Sequence, residues 1–302
     1  MAIITPQLIT ALRTGYSKAF QDALAATPTD WQKVATRVPS SNTSNTYGWL
    51  GQFPKLREWI GDRVIKGMAA QGYQITNKLF EATVAVKRTD IEDDNVGIYT
   101  PLFAEMGRAA AAHPDELVFG LLAAGESSAC YDGQNFFDTD HPVYPNVDGT
   151  GTAATVSNFV AGTAGQPWYL LDCSRSLKPL IFQERSRPEI ESLTSTQDEG
   201  VFMRDEYRFG IRYRCNAGFG FWQMAFKSTD TLDAANFNAA VAMMMSIKAD
   251  GGRPLGIRPT HLVVPPALRA AALEIVEAQL INGGNSNPNY KAVEVIVSPW
   301  VA

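Results

Sequence analysis

Between Cys130 and His141 the chain gathers a thiol, three carboxylates and an imidazole: Cys130, Asp132, Asp138, Asp140 and His141. Thiolate, imidazole and carboxylate are the ligand types of a zinc site, and a carboxylate beside an imidazole is also the pairing used for general acid–base work. The local sequence favours a plainer reading. Asp132-Gly133 is a turn signal and His141-Pro142 forces an extended exit, while calcium needs more oxygen ligands in a recognisable loop and zinc a better ligand set. The expectation is a structured turn, with no metal, cofactor or catalytic residue. The competing enzymatic reading uses Asp132, Asp138 and His141, and would show as a compact monomer or small oligomer with bound metal.

Other chemical signals are weak. No phosphate-binding loop, GxSxG turn or HExxH helix occurs, and the three histidines lie far apart in the sequence. Gly218-Phe219-Gly220 lacks the third glycine of a dinucleotide fingerprint. Arg208, Arg212 and Arg214 recur along one strand-like segment and suit a phosphate backbone in principle. With a net charge of −5 the chain is a poor dedicated nucleic-acid binder, so a solvated or subunit-facing strand is the better reading. His261 reads as a hydrogen-bonded structural histidine. The cluster Met243–Met245 reads as core filling, with Phe237, Val241, Met244 and Met245 on the inner side of a helix capped by Asp233.

The elements that must carry these residues follow from periodicity. Phe80, Ala82, Val84 and Val86 alternate with polar neighbours as in a half-buried strand. An acidic link, Asp90–Asn95, precedes Thr100-Pro101, a cap and a first-turn proline. From there Leu102, Phe103, Met106, Val118 and Leu122 mark a long helix, kinked or broken near Pro114 and ending at Gly125. Residues 143–166 read as a long surface loop, and 183–200 as a solvated loop or edge hairpin. Short apolar strands are expected at Trp168–Asp172, Leu180–Phe182, Tyr207–Cys215 and Gly218–Phe226. A compact lobe of helix, strand, helix and strand closes the chain.

With 302 residues and 45% hydrophobic content, the polypeptide can bury a real core. Three scattered cysteines make no disulfide framework, and no signal peptide or membrane span is apparent, which points to synthesis in a cytoplasm. The first ninety residues look different. Leu8, Leu12, Tyr16, Phe20 and Leu24 form a narrow helical stripe, followed by a polar loop and an extended arm with Tyr47, Trp49, Phe53, Arg57, Glu58, Trp59 and Arg63. Trp, Tyr and Arg are common interface anchors, and a lone hairpin is marginal in water. Neighbouring copies of the same chain are therefore expected to cover this region.

Several ordered motifs carry a family resemblance: Tyr47-Gly48-Trp49-Leu50-Gly51, Arg57-Glu58-Trp59-Ile60-Gly61, Asp90-Ile91-Glu92-Asp93-Asp94, Ala111-Ala112-His113-Pro114-Asp115, Cys130-Tyr131-Asp132-Gly133 with Phe136-Phe137, and Asn216–Trp222. Together they resemble the Mu-like phage or prophage major head subunit family of the gpT type, over essentially the whole chain. The resemblance implies an α+β protein with the Hong Kong 97-type phage capsid fold. It would comprise an amino-terminal arm (1–52), an extended loop (53–90), a peripheral domain with spine helix and sheet (91–228) and an axial domain (229–302).

It also implies a structural protein of the virion, assembled in the bacterial host as hexamers and pentamers of an icosahedral shell around double-stranded DNA. A separate scaffold, a maturation protease, a portal and a decoration protein would be its partners, with non-specific contact to packaged DNA and none to membrane. The alternative within the fold is an encapsulin-like nanocompartment. Trp49, Arg57, Glu58, Trp59, Arg63, Asp90, Glu92, Asp93 and Asp94 are expected at subunit interfaces. Lys66 and Lys78 lie in the region where some relatives cross-link, though no motif supports a cross-link here. Residues 168–226 are expected as a peripheral sheet lying ahead of the axial lobe in a rearranged chain order.

Overall fold

The computed structural model describes residues 4–50, 72–93, 96–147, 149–163, 165–195 and 197–302. Helix α1 (Pro6–Ala26) opens on Thr5, whose hydroxyl accepts from Leu8 N. A single turn, α2 (Trp31–Val34), leads into β1 (Ala35–Pro39). Two short strands, β2 (Ser44–Thr46) and β3 (Gln74–Thr76), pair antiparallel, and β4 (Lys78–Lys87) follows. The acidic link is a helix, α3 (Arg88–Glu92), and a 3-10 turn at Val96–Tyr99 leads directly into the long helix α4 (Thr100–Ala124). Thr100 is therefore inside the helix rather than its cap. The helix also runs unbroken through Pro114, which is buried within it.

The surface loop expected over 143–166 carries three short strands, β5 (His141–Val143), β6 (Ala154–Val156) and β7 (Phe159–Val160), of which β5 and β6 form a hairpin. Next come β8 (Trp168–Leu171), β9 (Leu180–Leu193), α5 (Glu199–Arg204), β10 (Glu206–Phe219) and β11 (Ala225–Ser228). The chain closes with α6 (Ala234–Ser246), β12 (His261–Val264), α7 (Arg269–Val276), β13 (Leu280–Ile281), β14 (Asn285–Ser286) and β15 (Glu294–Val297).

Two sheets organise these elements. One has the order β1-β9-β10-β4, the other β15-β12-β8-β11-β7. The charged stretch after Gln183 is the second half of a long strand that beyond Glu184 pairs with β10 alone, an edge position in an antiparallel pair as expected. Arg187, Glu189 and Glu191 lie toward solvent, and Pro188 falls where the β9–β10 register shifts, a place that tolerates a missing N–H. The segment 168–226 is divided between the sheets. Strands β8 and β11 pair with β12 and β7, whereas β9 and β10 pair with β1 and β4. A boundary at 228/229 accordingly cuts through one sheet instead of separating two. Four fully buried residues make β8 the central strand of that sheet.

The amino-terminal helix does not wait for a neighbour. It lies on α4 of its own protomer, with Tyr16 stacked on Phe103 at 4.3 Å and edge-on to Phe209 at 5.4 Å. Phe20 is fully buried. These residues join Val86, Ile91, Tyr99, Met106 and Tyr207 in a second, smaller core beside the main one. Trp31, Val34, Tyr47 and Leu50 enter the main core, so the described part of the first ninety residues is tucked into its own fold. The alternation of β4 is as expected, ending on fully buried Val86. The cap of α6 also agrees, with Asp233 accepting from Asn236 N at 2.8 Å. Its inner face differs by one residue, since Met244 is buried but Met245 is 51% exposed.

Candidate functional site

Residues of several motifs meet around the β2–β3 pair, whose strands flank residues 51–71 in the sequence. Pairing of β2 with β3 joins Ser44 to Thr76 and Thr46 to Gln74, and Tyr47 N donates to Tyr73 O at 2.9 Å. The fully buried amide of Gln183 ties both sides together. Its Oε1 accepts from Tyr47 Oη at 2.8 Å, and its Nε2 donates to Ile75 O at 3.1 Å and to Asn77 Oδ1 at 2.8 Å. Asn77 Nδ2 in turn donates to Ser40 Oγ and Asn42 O.

The far end of β10 supplies the floor. Asn216 Nδ2 donates to Thr76 O at 2.7 Å, and Phe219 N donates to Tyr73 Oη at 2.7 Å. Burial pushes the Tyr47 and Tyr73 phenols up to about 12, so both stay neutral and keep their hydrogen bonds. Gly218 is required by space: a Cβ there would meet Ile75 Cδ1 at 2.4 Å and Tyr73 Oη at 3.0 Å. On the helix side, Asp115 on α4 accepts from Asp30 N and Trp31 N (2.7 Å to the latter), capping α2 from outside its own chain segment.

Beside this clamp sits the Cys130–His141 cluster. Gly133, at φ +89°, closes the turn. Cys130 Sγ donates to Asp132 Oδ1 at 2.9 Å, and His141 Nδ1 lies 2.8 Å from Asp132 Oδ2. The imidazole stacks on Trp222 at 3.9 Å and 7°. These three ligand-type atoms lie within 4.8 Å of one another, as a metal site would need. The separations in the structure are those of direct hydrogen bonds. A tetrahedral zinc would hold nitrogen–oxygen and sulfur–oxygen pairs roughly 3.4–3.6 Å apart, given its usual bond lengths. Hydrogen bonds explain the two shorter separations without an ion.

The other ring nitrogen, His141 Nε2, is buried with no hydrogen-bond partner among the described residues. That favours a proton on Nδ1 over Nε2–H, because an orphaned buried donor is costly. Burial and the Asp132 carboxylate push the Cys130 thiol up, leaving it protonated and unsuited to nucleophilic work. Asp138 is not part of the cluster; its carboxylate accepts from Asn135 N and Thr139 N. The cluster fastens the turn to Trp222, in the short 3-10 turn that joins β10 to β11.

Burial works to raise the Asp132 carboxyl. Hydrogen bonds from His141 and Cys130, with the field of the His141 ring, outweigh it and hold the group below the usual range. A depressed folded-state pKa stabilises the fold above the unfolded value, near pH 4, and this contribution disappears as pH falls through the folded value. Asp132→Asn should therefore melt lower than wild type at neutral pH and show a flatter decline below about pH 4. Melting temperatures of both proteins across that range check it.

The residues expected at interfaces are dispersed. Trp49 is half-buried against its own Tyr47 and Phe221. Asp90 accepts from Tyr99 Oη, Glu92 pairs with Arg88 at 3.3 Å, and Asp93 is exposed at the end of α3. Arg57, Glu58, Trp59, Arg63 and Asp94, with Lys66, lie outside the described residues. Gln183, Asn77 and Gly107 escaped the sequence reading. Only Gln183 left a trace, as a polar residue ending the apolar run Leu180–Phe182.

The sequence model of the Mu-like prophage major head subunit gpT matches residues 9–301. A "Major capsid protein" of Escherichia phage Mu is 50% identical over 99% of this chain and 100% of its own. Among solved structures, the subunit in the procapsid of bacteriophage JBD30 superimposes with a TM-score of 0.87 at 66% identity, covering 98% of this chain and all of that one. The subunit of the JBD30 capsid "decorated with minor capsid protein trimers" gives 0.76 at 48% identity over the full length of both. Among the described residues, no helix is long and apolar enough to cross a membrane. The chain belongs to the Mu-like prophage major head subunit family of the gpT type, with the Hong Kong 97-type fold of phage capsid proteins.

Proposed function

We propose that this major capsid protein closes into hexamers and pentamers of an icosahedral head around double-stranded DNA. The observation that carries this reading is the full-length match, in sequence and in fold, to subunits of assembled phage shells. A separate scaffold, a maturation protease and a portal act with it, and minor-protein trimers of the kind named for the JBD30 capsid are the model for its decoration. Within the subunit, 1–52 acts as the arm, 53–90 as the extended loop, 91–228 as the peripheral part and 229–302 as the axial part. Three strands of the axial sheet, β7, β8 and β11, are contributed from before residue 229.

Arg57, Glu58, Trp59, Arg63 and the acids Asp93 and Asp94 contact neighbouring copies. Trp49, Asp90 and Glu92 support them from within the protomer, in keeping with their own intramolecular partners. Closed geometry multiplies individually modest contacts, so single charge reversals should be felt across the shell. Arg57→Glu or Asp93→Lys is expected to reduce shell yield several-fold in sedimentation and negative-stain microscopy, with the melting temperature of the free subunit unchanged. Unaltered yield in both variants counts against the interface assignment. Wild-type shells filled with protein cargo and devoid of DNA would instead favour a nanocompartment.

A further inference from the structure

Two apolar cores lie side by side in the body of the subunit, and four long elements run through both. Helix α4 gives Phe103, Met106 and Ala110 to the smaller core and Val118, Phe119 and Leu122 to the larger. Strand β10 passes from Phe209 and Ile211 to Tyr213 and Cys215, β9 from Ile190 to Phe182, and β4 from Ala82 to Phe80. The border between the cores is therefore one line across helix and sheet. At that line the supports are interrupted. Pro114 has no N–H, so the rung that Ala110 O would accept is missing from α4, and residues 109–112 ahead of it are all alanine. Pairing of β9 with β10 slips twice, between Arg212 and Arg214 and between Arg214 and Cys215. A cleft of about 390 Å³ opens at the same level, with Leu24, Ala111, Pro114, Pro188 and Tyr213 among its walls.

A proline rung missing from a helix and a slipped ladder are each ordinary irregularities, which bend a helix or increase the local twist of a sheet. Here they are aligned between two cores, with open space beside them. The two halves can then turn while each core keeps its own packing, as in a hinge where a few residues absorb the change and the bodies stay rigid. The β4–β10 ladder crosses the line in continuous register, from Lys78↔Cys215 to Lys87↔Glu206, and keeps the halves joined. We propose that the subunit bends along this line, about the β4–β10 ribbon, with the cleft between α1 and β9 opening and closing. This rests on the assembly reading above: hexamers and pentamers hold one chain at different angles to its neighbours, and a bend inside the subunit supplies the difference.

Distance distributions in the unassembled full-length subunit test the hinge, measured by double electron–electron resonance between nitroxide labels. Cys130 and Cys215 are buried, so Cys173→Ser gives a background without an accessible thiol. One label pair spans the border, Thr10→Cys on α1 with Glu274→Cys on α7. The control pair, Thr10→Cys with Glu191→Cys on β9, lies within the smaller-core half, and all three positions are exposed. The spanning distribution should be roughly twice as wide as the control, and Pro114→Ala, which returns the missing N–H, should narrow it to nearly the control width. The same variant should lower the yield of closed shells several-fold. A spanning distribution in the wild-type subunit no wider than the control overturns the hinge, whether or not Pro114→Ala folds. So does a wide distribution that a folded Pro114→Ala subunit leaves unchanged. Wild-type shell yield from a narrowed Pro114→Ala subunit overturns the use of the bend in fitting the two capsomers. A chain that bends in this way but forms no capsomers or shells overturns the assembly reading and leaves the bend standing.

Discussion

Gly107→Ala should lower the melting temperature of the subunit by roughly 2–12 °C, from a loss of about 1–3 kcal/mol at 2–4 °C per kcal/mol for a chain of this size. Helices α1 and α4 approach so closely at this point that a Cβ on Gly107 would stand 2.3 Å from Phe20 O and 3.1 Å from Ala23 Cβ. A backbone carbonyl cannot rotate aside as a side-chain terminus can. The helices must separate, and separation opens the stack of Tyr16 on Phe103 and exposes Phe20, each worth about 1.5–3 kcal/mol of burial when complete.

Gly15→Ala on α1 is the control, because nothing lies within 4 Å of a Cβ there. It should be neutral or slightly stabilising, as alanine replaces glycine in a helix. Limited trypsin digestion provides a second readout: cleavage at Arg13 and Lys18 should accelerate in Gly107→Ala and not in Gly15→Ala. Equal melting and equal cleavage in the two variants would mean that α1 rests on something other than its own spine.

What could be read from the sequence divides along physical lines. Strand β4 was legible because one of its faces is buried and the other wet, so its period is printed in the residues. Helix α4 was legible for a related reason, with Phe103, Met106, Val118 and Leu122 on one buried stripe. Sheet membership was not. Strands β8, β9, β10 and β11 are all partly or wholly buried, and no local signal tells which of two sheets a buried apolar run joins.

The stripe of α1 was read correctly and its partner wrongly, since Gly107 on α4 makes room that only tertiary structure reveals. Among site residues, the turn at Asp132-Gly133 was legible from its dipeptide, whereas the hydrogen bonds of Gln183 join positions far apart in the chain. Arg57, Glu58, Trp59 and Arg63 were selected for composition typical of interface anchors. These four residues lie outside the described part of the chain, so their composition alone carries the assignment.

Gln183→Leu should be among the most disruptive conservative-sized substitutions in this protein, destabilising it by about 3–5 kcal/mol. Leucine fills much of the volume but strands three groups at once: Tyr47 Oη loses its acceptor, and Ile75 O and Asn77 Oδ1 lose their donor. Each buried polar group left unsatisfied costs roughly 1–3 kcal/mol, and the site is dry enough that water will not readily replace the amide. Tyr47→Phe removes one member and should cost about 1–2 kcal/mol, leaving Gln183 to its other two bonds. Because both residues belong to one network, the double variant should fall short of the summed losses by 1 kcal/mol or so.

The functional consequence follows from position. Segment 51–71 begins and ends at this clamp, and the hydrogen bonds of β2 with β3 hold its two ends at a fixed spacing. Loss of Gln183 should raise amide exchange at Ser44–Thr46 and Gln74–Thr76 well before it affects β8 at the centre of the other sheet. Shell yield should fall with it, even at temperatures where the subunit stays folded. Fast exchange confined to the clamp, with shells still forming at wild-type yield, would show that the loop is oriented by its neighbours in the shell and needs no anchor in its own protomer.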